Sequence, residues 1–80
     1  MNRDQIYERL TAVFRDIFDD EDISIHDGTT AADIEDWDSL THIMLLSAVE
    51  DEFEIKFDMK AVQGLKNVGE MVDLIQSQLK

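Results

Sequence analysis

Apolar residues recur along this chain at the three-to-four-residue spacing of helices, in three separate runs. Ile6, Leu10, Val13, Phe14 and Ile17 fall on one face of a segment from about Arg3 to Phe18, with Asn2 or Asp4 able to cap its start. Leu40, Ile43, Leu46, Val49 and Phe53 mark a second helix from Ser39 to about Phe53, and Met44 and Leu45 widen its stripe. Val68, Met71, Val72, Ile75 and Leu79 mark a third, opened by Asn67-Val68-Gly69-Glu70, where Asn with Glu three residues on fits a capping box. Between the last two runs, Ile55 and Phe57 alternate like a short extended stretch, before a brief helical turn near Asp58 to Val62 and a stop at Gly64. No strand of convincing length is present. The pattern predicts an all-α, four-helix bundle with three major helices and one short one.

The connection from Asp19 to Trp37 is too long to lie unanchored in so small a domain, and Ile23, Ile25 and Ile34 are the expected anchors. It carries Gly28, Thr29, Thr30 and many acids, and ends in Asp36-Trp37-Asp38-Ser39-Leu40. A serine hydroxyl is thereby set at a loop-to-helix junction. There Asp and Ser can accept hydrogen bonds from unpaired first-turn amides, and carboxylates suit the positive end of the helix dipole. Taken alone, these are capping residues, and Trp37 is a loop anchor. The stripe after Ser39 is too wide to be buried whole, so part of the Leu40, Met44 and Leu45 surface is expected at the exterior or along a cleft.

Composition narrows the chemistry. Eighty residues, 44% of them hydrophobic and six aromatic, make one domain spanning 1–80, with a thin core that leaves room for a guest between helices. With no cysteine, any thiol chemistry must come from an added group. No run approaches the roughly 20 apolar residues of a membrane span, and Met1 is followed by Asn2, Arg3 and Asp4 rather than an apolar signal region, which predicts a cytoplasmic protein. Short ends beyond the outer helices predict a free-standing unit.

The net charge of −12 is concentrated: residues 16–55 hold fourteen Asp or Glu and no Lys or Arg, while each flank sums to +1. Such a segment repels nucleic acid and anionic membranes and speeds encounter with basic protein surfaces. The acids do not form a calcium loop. With Gly28 as the invariant glycine, ligand positions would fall on Ile23, Ile25 and Ile34, so any divalent-cation binding at Glu35, Asp36, Asp38 and Glu50-Asp51-Glu52 is weak and delocalised, and no metal site is assigned. Nor do Asp38, Ser39 and His42 make a hydrolase triad, since three residues in one helical turn cannot align nucleophile, base and orienter around an oxyanion hole. His42 reads as a surface or helix-flank residue, ahead of the alternative that it contacts an attached group or a partner.

Asp38-Ser39-Leu40, set at the start of a second helix after an amphipathic first helix and a long loop, resembles the prosthetic-group attachment motif of acyl carrier proteins. The resemblance covers nearly the whole chain and implies an acyl carrier that is not itself an enzyme. Its Ser39 would bear 4′-phosphopantetheine taken from coenzyme A, with Asp38 and Leu40 flanking the attachment site. It further implies a monomer that meets a phosphopantetheinyl transferase and acyl-loading and acyl-processing enzymes through basic patches. Glu35, Asp36, Trp37, Asp38, Leu40, Met44, Glu50 and Asp51 would form the partner-binding face. Trp37 and Met44 depart from the housekeeping fatty-acid pattern and leave the pathway open among fatty-acid, polyketide and specialised biosynthesis. A peptidyl or aminoacyl carrier is the nearest alternative, although that family tends to have glycines before its serine, where this chain has Glu35-Asp36-Trp37-Asp38. The rival of another class is an acidic adaptor that binds a basic protein and uses Ser39 only as a cap.

Overall fold

Asn2 starts the first helix by accepting the Gln5 amide at 2.8 Å while the Gln5 side chain accepts the Asn2 amide at 2.9 Å, a complete capping box. The computed structural model describes residues 1–58, 60, 62 and 64–79. These form helices α1 (Arg3–Ile17), α2 (Ser39–Phe53) and α3 (Val68–Gln78), with a 3-10 turn at Ala31–Asp33 that the periodicity did not signal. Asn2, not Asp4, is the cap of α1, and the helix stops one residue before the expected Phe18 as Asp19 enters the left-handed region at φ 50°. Helix α2 ends at Glu54, also left-handed at φ 54°, a conformation that costs a non-glycine residue about 1 kcal/mol. The Ile55 amide then bonds back to the Glu50 carbonyl at 3.0 Å, which turns Ile55 into the core.

The three helices pool one core. Ile6, Leu10, Val13 and Phe14 of α1 meet Leu45, Val49 and Phe53 of α2 and Val68, Met71, Val72 and Ile75 of α3. Phe18, Ile23, Ile34 and Ile55 close it from the connections, while Ile25 is only partly buried. The apolar stripe of α2 is split: Leu45 is fully buried, whereas Leu40 and Ile43 are 69% and 66% exposed and Met44 is 48% exposed. Leu45, Val49 and Phe53 are spaced by four and share one face, so Leu40 and Ile43 rotate outward. The expected short turn includes Met59 and Ala61, which lie outside the described residues. Within them, the Asp58 carboxylate accepts the Lys60 amide at 3.0 Å, and the Val62 amide bonds to the Asp58 carbonyl at 3.1 Å.

Each arginine of α1 fastens a different part of the chain. Arg15 Nε donates to the Ile23 carbonyl at 2.9 Å, holding the start of the long connection. Arg9 pairs with Glu52 of α2 at 3.3 Å and lies over the Phe53 ring. Arg3 reaches Asp27 of the connection at 2.9 Å and Asp73 of α3 at 2.6 Å, and the Tyr7 hydroxyl also donates to Asp27. The Tyr7 hydroxyl and the Arg3 guanidinium hold the Asp27 carboxyl below its usual range, while desolvation and that same contact push the Tyr7 phenol up to about 12. A carboxyl with a lowered folded pKa adds stability above its unfolded value of about 3.9 and loses it as pH falls through the lower folded value, so this clip is intact at neutral pH.

The connection also docks through its backbone. Val68 and Gly69, the first residues of α3, donate their amides to the Thr29 carbonyl at 2.8 Å and the Asp27 carbonyl at 3.0 Å. Asn67 caps the same helix by accepting the Glu70 amide at 2.9 Å, but the expected box is only half made, because the Glu70 carboxylate accepts the Lys66 amide rather than that of Asn67. A Cβ on Gly69 would lie 2.9 Å from the Asp27 carbonyl oxygen, closer than packing tolerates. Gly69→Ala should therefore push the connection off α3 and destabilise the fold by about 1 to 3 kcal/mol. Chemical denaturation checks it, and an alanine variant as stable as wild type would mean that this backbone approach is not needed.

Candidate functional site

Three residues before α2 the chain is already fixed. The Thr41 hydroxyl donates to the Asp36 carbonyl at 2.9 Å and accepts the Asp38 amide at 2.7 Å. The Asp38 carboxylate accepts the amides of Leu40 at 3.0 Å and Thr41 at 2.9 Å. Asp38 and Thr41 thus form the capping box of α2, and Asp38 is held below the usual carboxylate range chiefly by the Thr41 amide. Ser39 takes no part in the cap. It is the exposed first residue of the helix, and its hydroxyl makes no hydrogen bond among the described residues.

Trp37 is half-buried and wedged into the core edge. Its ring lies 5.3 Å from that of Phe14 in a T-shaped contact and 6.2 Å from that of Phe18. It also stacks on His42 at 5.9 Å, and its indole N–H donates to His42 Nδ1 at 3.0 Å. His42 is therefore not the bare flank residue its position on the helix suggested. Burial pushes its pKa down, and an Nδ1 that accepts a hydrogen bond leaves the ring neutral with its proton on Nε2. No periodic signal in the sequence marks this pairing, because Trp37 belongs to the loop and His42 to the helix.

Ser39 opens onto a cavity of about 350 Å³ lined by Ala31, Trp37, Asp38, Ser39, His42, Leu65, Lys66, Asn67 and Met71. The wall contributed by Ala31 and by Leu65 to Met71 comes from segments with no mark in the sequence as site-forming. Glu35 and Asp36 before α2 and Leu40 and Met44 on it are exposed, and so is Ile43, which the helical spacing had placed in the apolar stripe. Asp51 is exposed farther along α2. Glu50, expected to face solvent, is instead half-buried, with its carboxylate accepting the Phe57 amide at 2.9 Å. Among the described residues no group of three or more His, Asp or Glu is arranged to hold a metal ion, and no helix is long and apolar enough to cross a membrane.

A family model described as a phosphopantetheine attachment site matches residues 8–75 of this chain. The chain is similar to the mitochondrial acyl carrier protein of Saccharomyces cerevisiae, with 33% identity over an alignment of 82 positions that takes in 96% of this chain; it spans 65% of that protein's length. Its fold is similar to the solution NMR structure of holo acyl carrier protein from Geobacter metallireducens, with a TM-score of 0.86 and 42% identity over 91% of this chain and 84% of the other.

The division of labour between Asp38 and Ser39 has a measurable consequence. Asp38→Ala should cost about 0.5 to 2 kcal/mol, the range for a lost N-cap. Ser39→Ala should stay within about 0.5 kcal/mol of wild type, as for surface positions away from such features. Urea unfolding of the two variants checks this, and a larger loss at Ser39 than at Asp38 would reassign the cap.

Proposed function

This chain belongs to the acyl carrier protein family, marked by its phosphopantetheine attachment site, and on that premise we propose that it carries acyl groups as thioesters on an arm attached at Ser39. The observation that carries the assignment is the uncommitted hydroxyl: the neighbouring Asp38 and Thr41 do the capping, and Ser39 stays exposed at the mouth of a cavity. A residue of that kind fits an acceptor for a phosphodiester. When a transferase presents coenzyme A, Ser39 Oγ forms the new bond to phosphorus and gives up its proton, and the adenosine bisphosphate portion leaves. The bound arm supplies a terminal thiol, which this cysteine-free chain lacks. The chain itself contributes no catalytic group. It positions the serine, leaves it open to solvent, and presents a recognition surface.

For that surface we infer a face that combines the exposed Leu40, Ile43 and Met44 with the carboxylates of Glu35, Asp36 and Asp51. Basic patches on the transferase and on acyl-loading and acyl-processing enzymes are its partners. Trp37 supports the face from beneath, Asp38 is exposed within it as the cap of α2, and Glu50 acts through the Phe57 turn. Once attached, one flexible arm serves both acyl loading and presentation to successive enzymes, and its reach raises the local concentration of cargo at each site. A cytoplasmic location is part of this proposal; the yeast relative is, by its name, mitochondrial.

Mass spectrometry tests the attachment. Incubation with coenzyme A, magnesium and a broad-specificity phosphopantetheinyl transferase should add one arm to the wild type and none to Ser39→Ala. An arm on the alanine variant, or one mapped to Ser24, Ser47 or Ser77, would move the site, and no arm on wild type would leave the acidic-adaptor reading standing. For the recognition face, Glu35→Lys with Asp51→Lys should slow association with the transferase and weaken its salt dependence, while circular dichroism stays unchanged. Stopped-flow kinetics at low salt decides it, since an unchanged association rate would reduce these acids to a solvated face.

A further inference from the structure

His42 follows Ser39 by three residues on α2, a spacing that places the two side chains on one face, and both line the same cavity. The imidazole is held from one side. Its Nδ1 accepts the Trp37 indole N–H at 3.0 Å, and Trp37 is itself fixed by Phe14 and Phe18. Ring plane and tautomer are therefore set before anything binds, with Nε2–H left as the donor. That donor has no partner among the described residues, and none of their fully buried side-chain nitrogens or oxygens is unsatisfied, so Nε2 is reachable from outside.

The other charged groups of the cavity are Asp38 and Lys66. The Asp38 carboxylate is engaged by the amides of Leu40 and Thr41, which leaves the imidazole donor and the Lys66 ammonium to face an incoming anion. A group attached to Ser39 through phosphorus brings such an anion to the start of the helix, one turn from the ring. We propose that His42 is a positioning residue for the prosthetic arm: its Nε2–H donates to an oxygen of the phosphodiester on Ser39, and Trp37 holds the ring in the orientation that allows it. This rests on the reading that Ser39 carries the arm. The contact fixes the first atoms of the arm over the cavity and leaves its distal end free.

A phosphodiester does not change its ionisation between about pH 5 and 8, the range in which an imidazole titrates. Its phosphorus-31 signal can therefore report on a neighbouring ring. The experiment uses protein loaded from coenzyme A with a transferase, with mass spectrometry and peptide mapping showing where the arm sits. The phosphorus shift should then titrate with the midpoint of the His42 ring protons, and that midpoint should lie roughly one unit higher in the loaded protein than in the unloaded one. His42→Phe should flatten the phosphorus titration. His42→Gln, which retains a donor, should also be flat but keep the wild-type shift near neutral pH.

A phosphorus signal that stays flat while His42 titrates, or equal His42 midpoints with and without the arm, would overturn the contact and leave attachment at Ser39 intact. A wild-type protein that takes no arm at Ser39 would overturn both. The wild-type titration decides the matter even if the phenylalanine variant fails to fold.

Discussion

The position of Ser39 depends on how the long connection is seated, and two backbone hydrogen bonds seat it. A helix begins with unpaired amides, and α3 satisfies two of them with the carbonyls of Asp27 and Thr29 rather than with water. The exchange serves both sides. The helix gains acceptors at its positive end, and a polar segment with few apolar residues gains a fixed track across the core. Ordering such a segment costs about 1 to 2 kcal/mol of backbone entropy per residue, so the docking bonds act together with Ile23, Ile34 and the Arg3 contacts to Asp27 and Asp73. Gly69 is part of this constraint because a side chain there would meet the Asp27 carbonyl.

From that seat the connection runs to a second fixed point, the aromatic wedge of Phe14, Phe18 and Trp37. The wedge settles where the chain enters α2, and the Asp38–Thr41 box settles the direction of entry. Local bonding thereby does what a capping serine would otherwise do. The hydroxyl of Ser39 is left free because its neighbour has taken over its ordinary task, and a free hydroxyl is what an attachment site requires. Structure and chemistry at this junction are coupled through a substitution of roles, not through a shared residue.

Helical periodicity made the three main helices legible, and the Asp38-Ser39-Leu40 motif pointed to the candidate site proposed above. The buried face of α2 was misread: Ile43, Met44, Leu45 and Leu46 are consecutive apolar residues, and a four-residue spacing through Leu45 fits them no worse than the spacing that marked Leu40, Ile43 and Leu46. Packing against α1 makes the choice, and it selects Leu45. The Arg3, Asp27 and Asp73 contacts were hidden for another reason. Exposed charges far apart in sequence carry no periodic signal, and fourteen acids between residues 16 and 55 offered no way to single out Asp27. Glu50 and Glu70 show the same limit, since each serves a backbone amide in a turn whose geometry the sequence does not reveal. His42 escaped because its partner, Trp37, lies on the other side of the loop-to-helix boundary.

The split face of α2 bears on why an acidic protein keeps large apolar groups in water. Leu40, Ile43 and Met44 stand outward beside Ser39, in the segment that carries the excess negative charge. An uncharged surface with such a stripe would tend to associate with itself. Here a second copy would have to bring its own acids against the same acids, and that repulsion offsets the burial. A basic partner meets the opposite balance: charge attraction speeds the encounter, and the stripe then gives contact area once docked. Under the proposed function, the pairing of apolar residues with uncompensated carboxylates favours heterologous over self-association, next to the residue where the partner must act.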